Sequence, residues 1–185
     1  MATVTALAKL YPALRFVVQI SEAATKGALE GDGIEDFDSR IVIQQRTPGA
    51  AQTVKAAAVY ILRPSAPCDG PFYSLRERIL AELRAHLGVL RATHTSVTLV
   101  LAPRLLPEPG SVDPEIEAMA RLRDLSRQQL DNMREMEMEE LIDIVNSVRD
   151  SVGSLVVVNK LRSPDNATVA LGIRYQTFGD KHKER

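Results

Sequence analysis

LAKLYPALRFVVQI, residues Leu7–Ile20, decides the fold. Leu7, Ala8 and Leu10 read as the apolar end of a helix, which Tyr11-Pro12 stops: proline removes a donor and pushes the residue before it towards extended geometry. Arg15–Ile20 is then a nearly continuous apolar, β-branched run, the pattern of a strand buried on both faces of a parallel sheet. A helix feeding a buried strand through a tight turn is the αβ half of a βαβ unit. The strand that should lead that unit would lie before Leu7, where six residues stand.

Outward from this stretch the chain alternates strand and helix. Ser21–Ala28 reads as a short helix broken by Gly31-Asp32-Gly33. Arg40–Gln45 (RIVIQQ) and Ala56–Leu62 (AAAVYIL) read as two more buried strands, separated by the turn Thr47-Pro48-Gly49. Pro64, Pro67, Gly70 and Pro71 make an irregular loop. Ser74-Leu75-Arg76-Glu77 is a capping box. The helix it opens places Leu75, Ile79, Leu80, Leu83, Leu87 and Leu90 on one face at the 3.6-residue period. Val97–Ala102 is a fourth strand, and Asp113-Pro114 is an N-cap with proline at the first helical position. Helix continues to about Val148, broken near Asn132, and Gly153 ends it. Leu155–Leu161 and Thr168–Tyr175 are the last strands, joined as an antiparallel hairpin through Ser163-Pro164-Asp165-Asn166. The pattern predicts an α/β, Rossmann-like fold: a mostly parallel sheet with helices on both faces and a C-terminal antiparallel hairpin. Residues 1–178 form a single domain in this reading, and residues 179–185 a disordered tail.

Composition narrows the partners. Hydrophobic content of 45% and charged content of 25% fit a globular protein. A net charge of −1 supplies no attraction for nucleic acid or an anionic membrane. No apolar run approaches the ~20 residues of a membrane span. A single cysteine, Cys68, and no basic-then-apolar N-terminal segment predict a cytoplasmic protein.

The order of these elements, with several local strings, resembles the catalytic domain of class I S-adenosylmethionine (SAM)-dependent O-methyltransferases, in particular the fungal branch that decorates secondary metabolites. LAKLYPALRFVVQ resembles the segment after that family's glycine-rich motif. AAVYILR resembles its fourth strand and LVLAPRLLPEPG its fifth strand and loop. RLRDLSRQQLDNMREMEMEELIDIV resembles its active-site helix and the helix that follows, and LVVVNKL with ATVALGIRYQ its terminal hairpin.

The departures fall on the chemistry. The resemblance implies a glycine-rich turn before Leu7, and none is present, nor is the family's usual first strand. Where the family has an acid that accepts from the ribose hydroxyls, Ile20 stands, whose side chain accepts no hydrogen bond. Gln44-Gln45-Arg46 occupies the region of the adenine-side Asp. Pro67 falls at or near the general-base His, with Cys68 beside it, and proline takes no proton. Within Asn132-Met133-Arg134-Glu135, Glu135 matches the glutamate that orients the base. No bound cofactor is therefore expected, SAM included.

Arg63 and Glu135 are the candidate catalytic residues. Arg63 follows a parallel strand, where open α/β sheets place ligands; its plain alternative is an ion pair. Glu135 is a cleft carboxylate or one charge of the acidic run Glu135, Glu137, Glu139 and Glu140. Cys68, Phe72, Tyr73, Asn132 and Met133 are candidate substrate contacts. Cys68 has no His in its loop to lower its pKa, so it reads as an ordinary thiol. His86 and His94 lack a second ligand at metal-binding spacing, so no metal is expected. Met119, Met133, Met136 and Met138 read as adaptable packing.

Three functions remain open. The first is a SAM-independent cyclase or pericyclase acting on a polyketide-type intermediate. The second is a non-catalytic partner, closing its sheet as a homodimer or with a methyltransferase-like protein. The third is a truncated but genuine O-methyltransferase.

Overall fold

A computed structural model describes residues 2–21, 39–64, 74–93, 97–163 and 168–179. The chain divides into two compact units, Met1–Ala50 and Ala51–Arg185.

In the first unit, helix α1 (Ala2–Leu10) is closed by a bond from the Tyr11 amide to the Leu7 carbonyl (2.9 Å). The chain turns through Pro12 into β1 (Phe16–Ile20), which pairs in parallel with β2 (Ile41–Gln45), Phe16 opposite Ile41 and Ile20 opposite Gln45. The Arg40 guanidinium donates to the carbonyls of Ala8 (3.1 Å) and Pro12 (2.6 Å), satisfying acceptors that the helix end and turn leave over. The expected two-sided burial of β1 is not found: Val17 is half-exposed, as are Val42 and Ile43 on β2. A ladder of two strands has one neighbour per strand, and β-branched composition alone does not supply covering layers.

The second unit carries β3 (Val59–Leu62), α2 (Leu75–Thr93), β4 (Thr98–Leu101), α3 (Pro114–Asp131), α4 (Met138–Ser147), β5 (Gly153–Arg162) and β6 (Val169–Thr177). Its sheet runs β3-β4-β6-β5, with β3/β4 parallel and β4/β6 and β6/β5 antiparallel. Both cap readings hold. Ser74 Oγ accepts from the Glu77 amide (3.2 Å), and Asp113 Oδ1 accepts from the Glu115 amide (2.9 Å) with Pro114 opening α3. Asn132 breaks the long helix in the left-handed conformation (φ 52°), where a short polar side chain is tolerated.

The core lies between the sheet and helices α2 and α4. Leu99, Leu101, Leu155, Leu171 and Ile173 meet Ile79, Leu83, Leu141 and Val145, all fully buried. Each contributes about 1.5–3 kcal/mol relative to exposure. Strand β3 shows what the sequence overstated. Tyr60 points inward, whereas Val59 and Ile61 are 50% and 56% exposed. As an edge strand with helices on one face, β3 buries alternate residues. His86 is a core histidine, 1% exposed: Nδ1 donates to the Glu82 carbonyl (2.7 Å), Nε2 accepts from the Gln52 amide (2.8 Å), and the Tyr60 ring lies edge-on. Burial raises the Tyr60 hydroxyl pKa. No helix among the described residues is long and apolar enough to cross a membrane.

Candidate functional site: an arginine-lined cleft at the strand ends

Because β5 returns parallel to β3 and β4, the C-terminal ends of all three strands share one edge of the sheet with the start of β6. Arg63 follows β3, Arg104 lies just beyond β4, and Arg162 is the last residue of β5. With Val169 and the α3 residues Ile116, Met119 and Arg123 they line a cavity of about 570 Å³. A second cavity of about 400 Å³ shares Arg63, Ala102 and Arg104 and adds Arg127 and Glu135. Open α/β sheets place ligands at this edge, because the strand ends leave a crevice there.

The loop after β4 is tied to the segment before α4 by a bond from the Leu106 amide to the Met136 carbonyl (2.9 Å), and this brings Glu135 beside the strand ends. Glu135 is 3% exposed. Its oxygens accept from Arg123 Nε (2.6 Å) and Nη2 (2.7 Å), and Arg127 stands 4.0 Å away. Its amide donates to Asp124 Oδ1 (2.6 Å). The two-pronged bond holds the Arg123 pKa above its ordinary value. A buried carboxylate paired in this way with a guanidinium holds α3 against the segment before α4.

Of the residues singled out from sequence, Arg63 lines both cavities and Glu135 the second, while Asn132 and Met133 line neither. Cys68, Phe72, Tyr73 and His94 lie outside the described residues, as do most of the Pro/Gly loop and the tip of the final hairpin. Sequence reasoning missed Arg104, Arg123, Arg127 and Arg162. The signals were present: Arg104 and Arg162 end strand-like runs as Arg63 does, and Arg123 and Arg127 sit one helical turn apart.

The architecture defines a methyltransferase-like α/β fold. A solved structure of LepI in complex with SAM matches with a TM-score of 0.64 at 16% identity, over 94% of this chain and 40% of that one. The methyltransferase NcsB1 of neocarzinostatin biosynthesis, with S-adenosylhomocysteine and 1,4-dihydroxy-2-naphthoic acid, matches at 0.58 and 14% identity, over 94% and 46%. A structure described as a pericyclic reaction enzyme matches at 0.64 and 16%, over 94% and 40%. Likeness at this identity shows the fold alone.

Sequence similarity points to a different set of proteins. The chain is 56% identical over 176 residues to a transcriptional coactivator of Pseudocercospora fijiensis, covering 92% of this chain and 47% of that protein. It is 52% identical over 141 residues to the monodictyphenone cluster transcriptional coactivator mdpA of Emericella nidulans, covering 76% and 29%. The chain thus spans less than half the length of these relatives. No family model matches it.

These structures correct the expectation that no cofactor is held. Proteins sharing the fold contain SAM or S-adenosylhomocysteine, so the fold gives no ground for excluding that cofactor. The side chain of Ile20, at the end of β1, offers no acceptor to a sugar hydroxyl, and its carbonyl already accepts from the Arg46 amide (2.9 Å).

Proposed function

We propose that the chain is the methyltransferase-like part of a transcriptional coactivator serving a fungal natural-product gene cluster, and that it acts by binding rather than by turning over a substrate. The observation that carries this reading is 56% identity across 92% of the chain to a protein described as a transcriptional coactivator. The site supports it: Glu135, which the methyltransferase resemblance assigned to steering a base, is held by Arg123. Charge supports it as well. A chain of net charge −1 gains little from phosphate contacts, which suits a protein that acts through a DNA-bound partner. The cyclase reading rests on a methyltransferase-like sequence without its methyl-transfer residues and on likeness of fold, and fold does not carry function.

Deleting the gene and measuring transcripts of the neighbouring biosynthetic genes tests the proposal. The expected result is a several-fold fall across those transcripts, restored by re-expression. Unchanged transcripts with a pathway intermediate accumulating would overturn it in favour of an enzyme.

A further inference from the structure

We infer that the strand-end cleft is an effector site for a small, largely apolar carboxylic acid. Its regulatory meaning rests on the coactivator reading, whereas the binding itself does not.

Three arginines follow the C-terminal ends of three strands, and the topology alone gathers them on one edge of the sheet. Arg123 is neutralised by Glu135. Among the described residues, Arg104 and Arg162 have no carboxylate at ion-pair distance, and both side chains line the larger cavity. The opposing acids of that cavity, Glu108 and Glu115, belong to the loop after β4 and to the first turn of α3. The cavity is thus lined by four arginines, Arg63, Arg104, Arg123 and Arg162, against two acids, Glu108 and Glu115.

The remaining lining selects the class of anion. Leu105, Ile116, Met119 and Val169 give the cavity apolar walls. A volume of about 570 Å³ falls within the ~300–1,000 Å³ range of small-molecule pockets. Guanidinium forks match a planar carboxylate in two-pronged geometry, and methionine adapts to irregular apolar shapes. Free phosphate would leave the apolar wall unused. An acid with an aromatic or polyene body uses both halves of the cleft.

Titration calorimetry of the 185-residue chain with naphthoic acid tests the site, with neutral naphthamide as the isosteric control and inorganic phosphate as competitor. The acid should bind at least about tenfold more tightly than the amide, and Arg104→Gln and Arg162→Gln should each cost about tenfold, 1.4 kcal/mol apiece. Binding should weaken as salt is raised. Equal affinity for acid and amide, no change in both variants, or displacement by phosphate at the concentration of the acid would overturn the inference. Neither result bears on transcript levels after gene deletion, so the two proposals fail separately.

Discussion

The two ends of one four-stranded sheet use carboxylates in opposite ways. At the C-terminal ends of β3, β4 and β5, Glu135 is held by a side chain, Arg123, beside a cleft rich in further arginines. At the other edge, where β5 begins, Asp150 is held mainly by backbone. Its Oδ1 accepts from the amides of Val152 (2.8 Å) and Gly153 (2.9 Å) and from the Tyr175 hydroxyl (2.8 Å), and Arg91 reaches Oδ2 at 3.3 Å. These donors lower the Asp150 pKa to about 2, while burial, and then the bond to Asp150, raise that of Tyr175. The second arrangement closes a turn. The first keeps charge next to an open space. Both carboxylates hold the fold, and the difference is that, of the two, only the Arg123–Glu135 pair borders the strand-end cavities.

The comparison breaks first at Glu135. Arg123→Ala leaves a buried carboxylate without its two-pronged partner, Arg127 being 4.0 Å away, and should destabilise by about 3 kcal/mol in urea unfolding; Glu135→Gln in the same background should recover part of the loss. A loss below about 1 kcal/mol would show that the pair is not an anchor. Next is Gly153→Ala. A Cβ there would overlap the Gln176 carbonyl oxygen and lie 2.7 Å from the Tyr175 ring, so the backbone must shift, at about 1–3 kcal/mol in the same assay.

Asp150 sharpens the contrast through pH. Its folded pKa is depressed, so its contribution is complete above the unfolded value of about 3.9 and is lost as pH falls from there towards about 2. Asp150→Asn should therefore be less stable at neutral pH and lose less stability on acidification over that window, read by thermal unfolding. An unchanged acid limb would remove Asp150 from the account. The smallest effect on stability belongs to Arg104→Gln and Arg162→Gln, within about 0.5 kcal/mol of wild type, because both side chains are exposed. A larger loss would make them part of the scaffold.

How much of this was legible depended on range. Local signals read correctly: the Ser74 and Asp113 caps, the break at Asn132, the hairpin of β5 and β6. Each is fixed by residues within a few positions of one another. The burial of β1 and β3 was overstated, because Val and Ile mark a strand without saying whether both its faces are covered. The Arg123–Glu135 pair spans 12 residues and a left-handed turn, so no helical spacing announces it. The arginine edge required strand order. Only when β6 inserts between β4 and β5 does Arg162 join Arg63 and Arg104. Resemblance to methyltransferases drew attention to Glu135, and the structure adds the partner, Arg123, that the resemblance did not name.

The account stands most directly on transcripts of the neighbouring biosynthetic genes in cells whose only copy carries Arg104→Gln and Arg162→Gln together, with protein abundance measured alongside. It predicts transcripts that depart several-fold from wild type at unchanged abundance. Wild-type transcripts at unchanged abundance would contradict it.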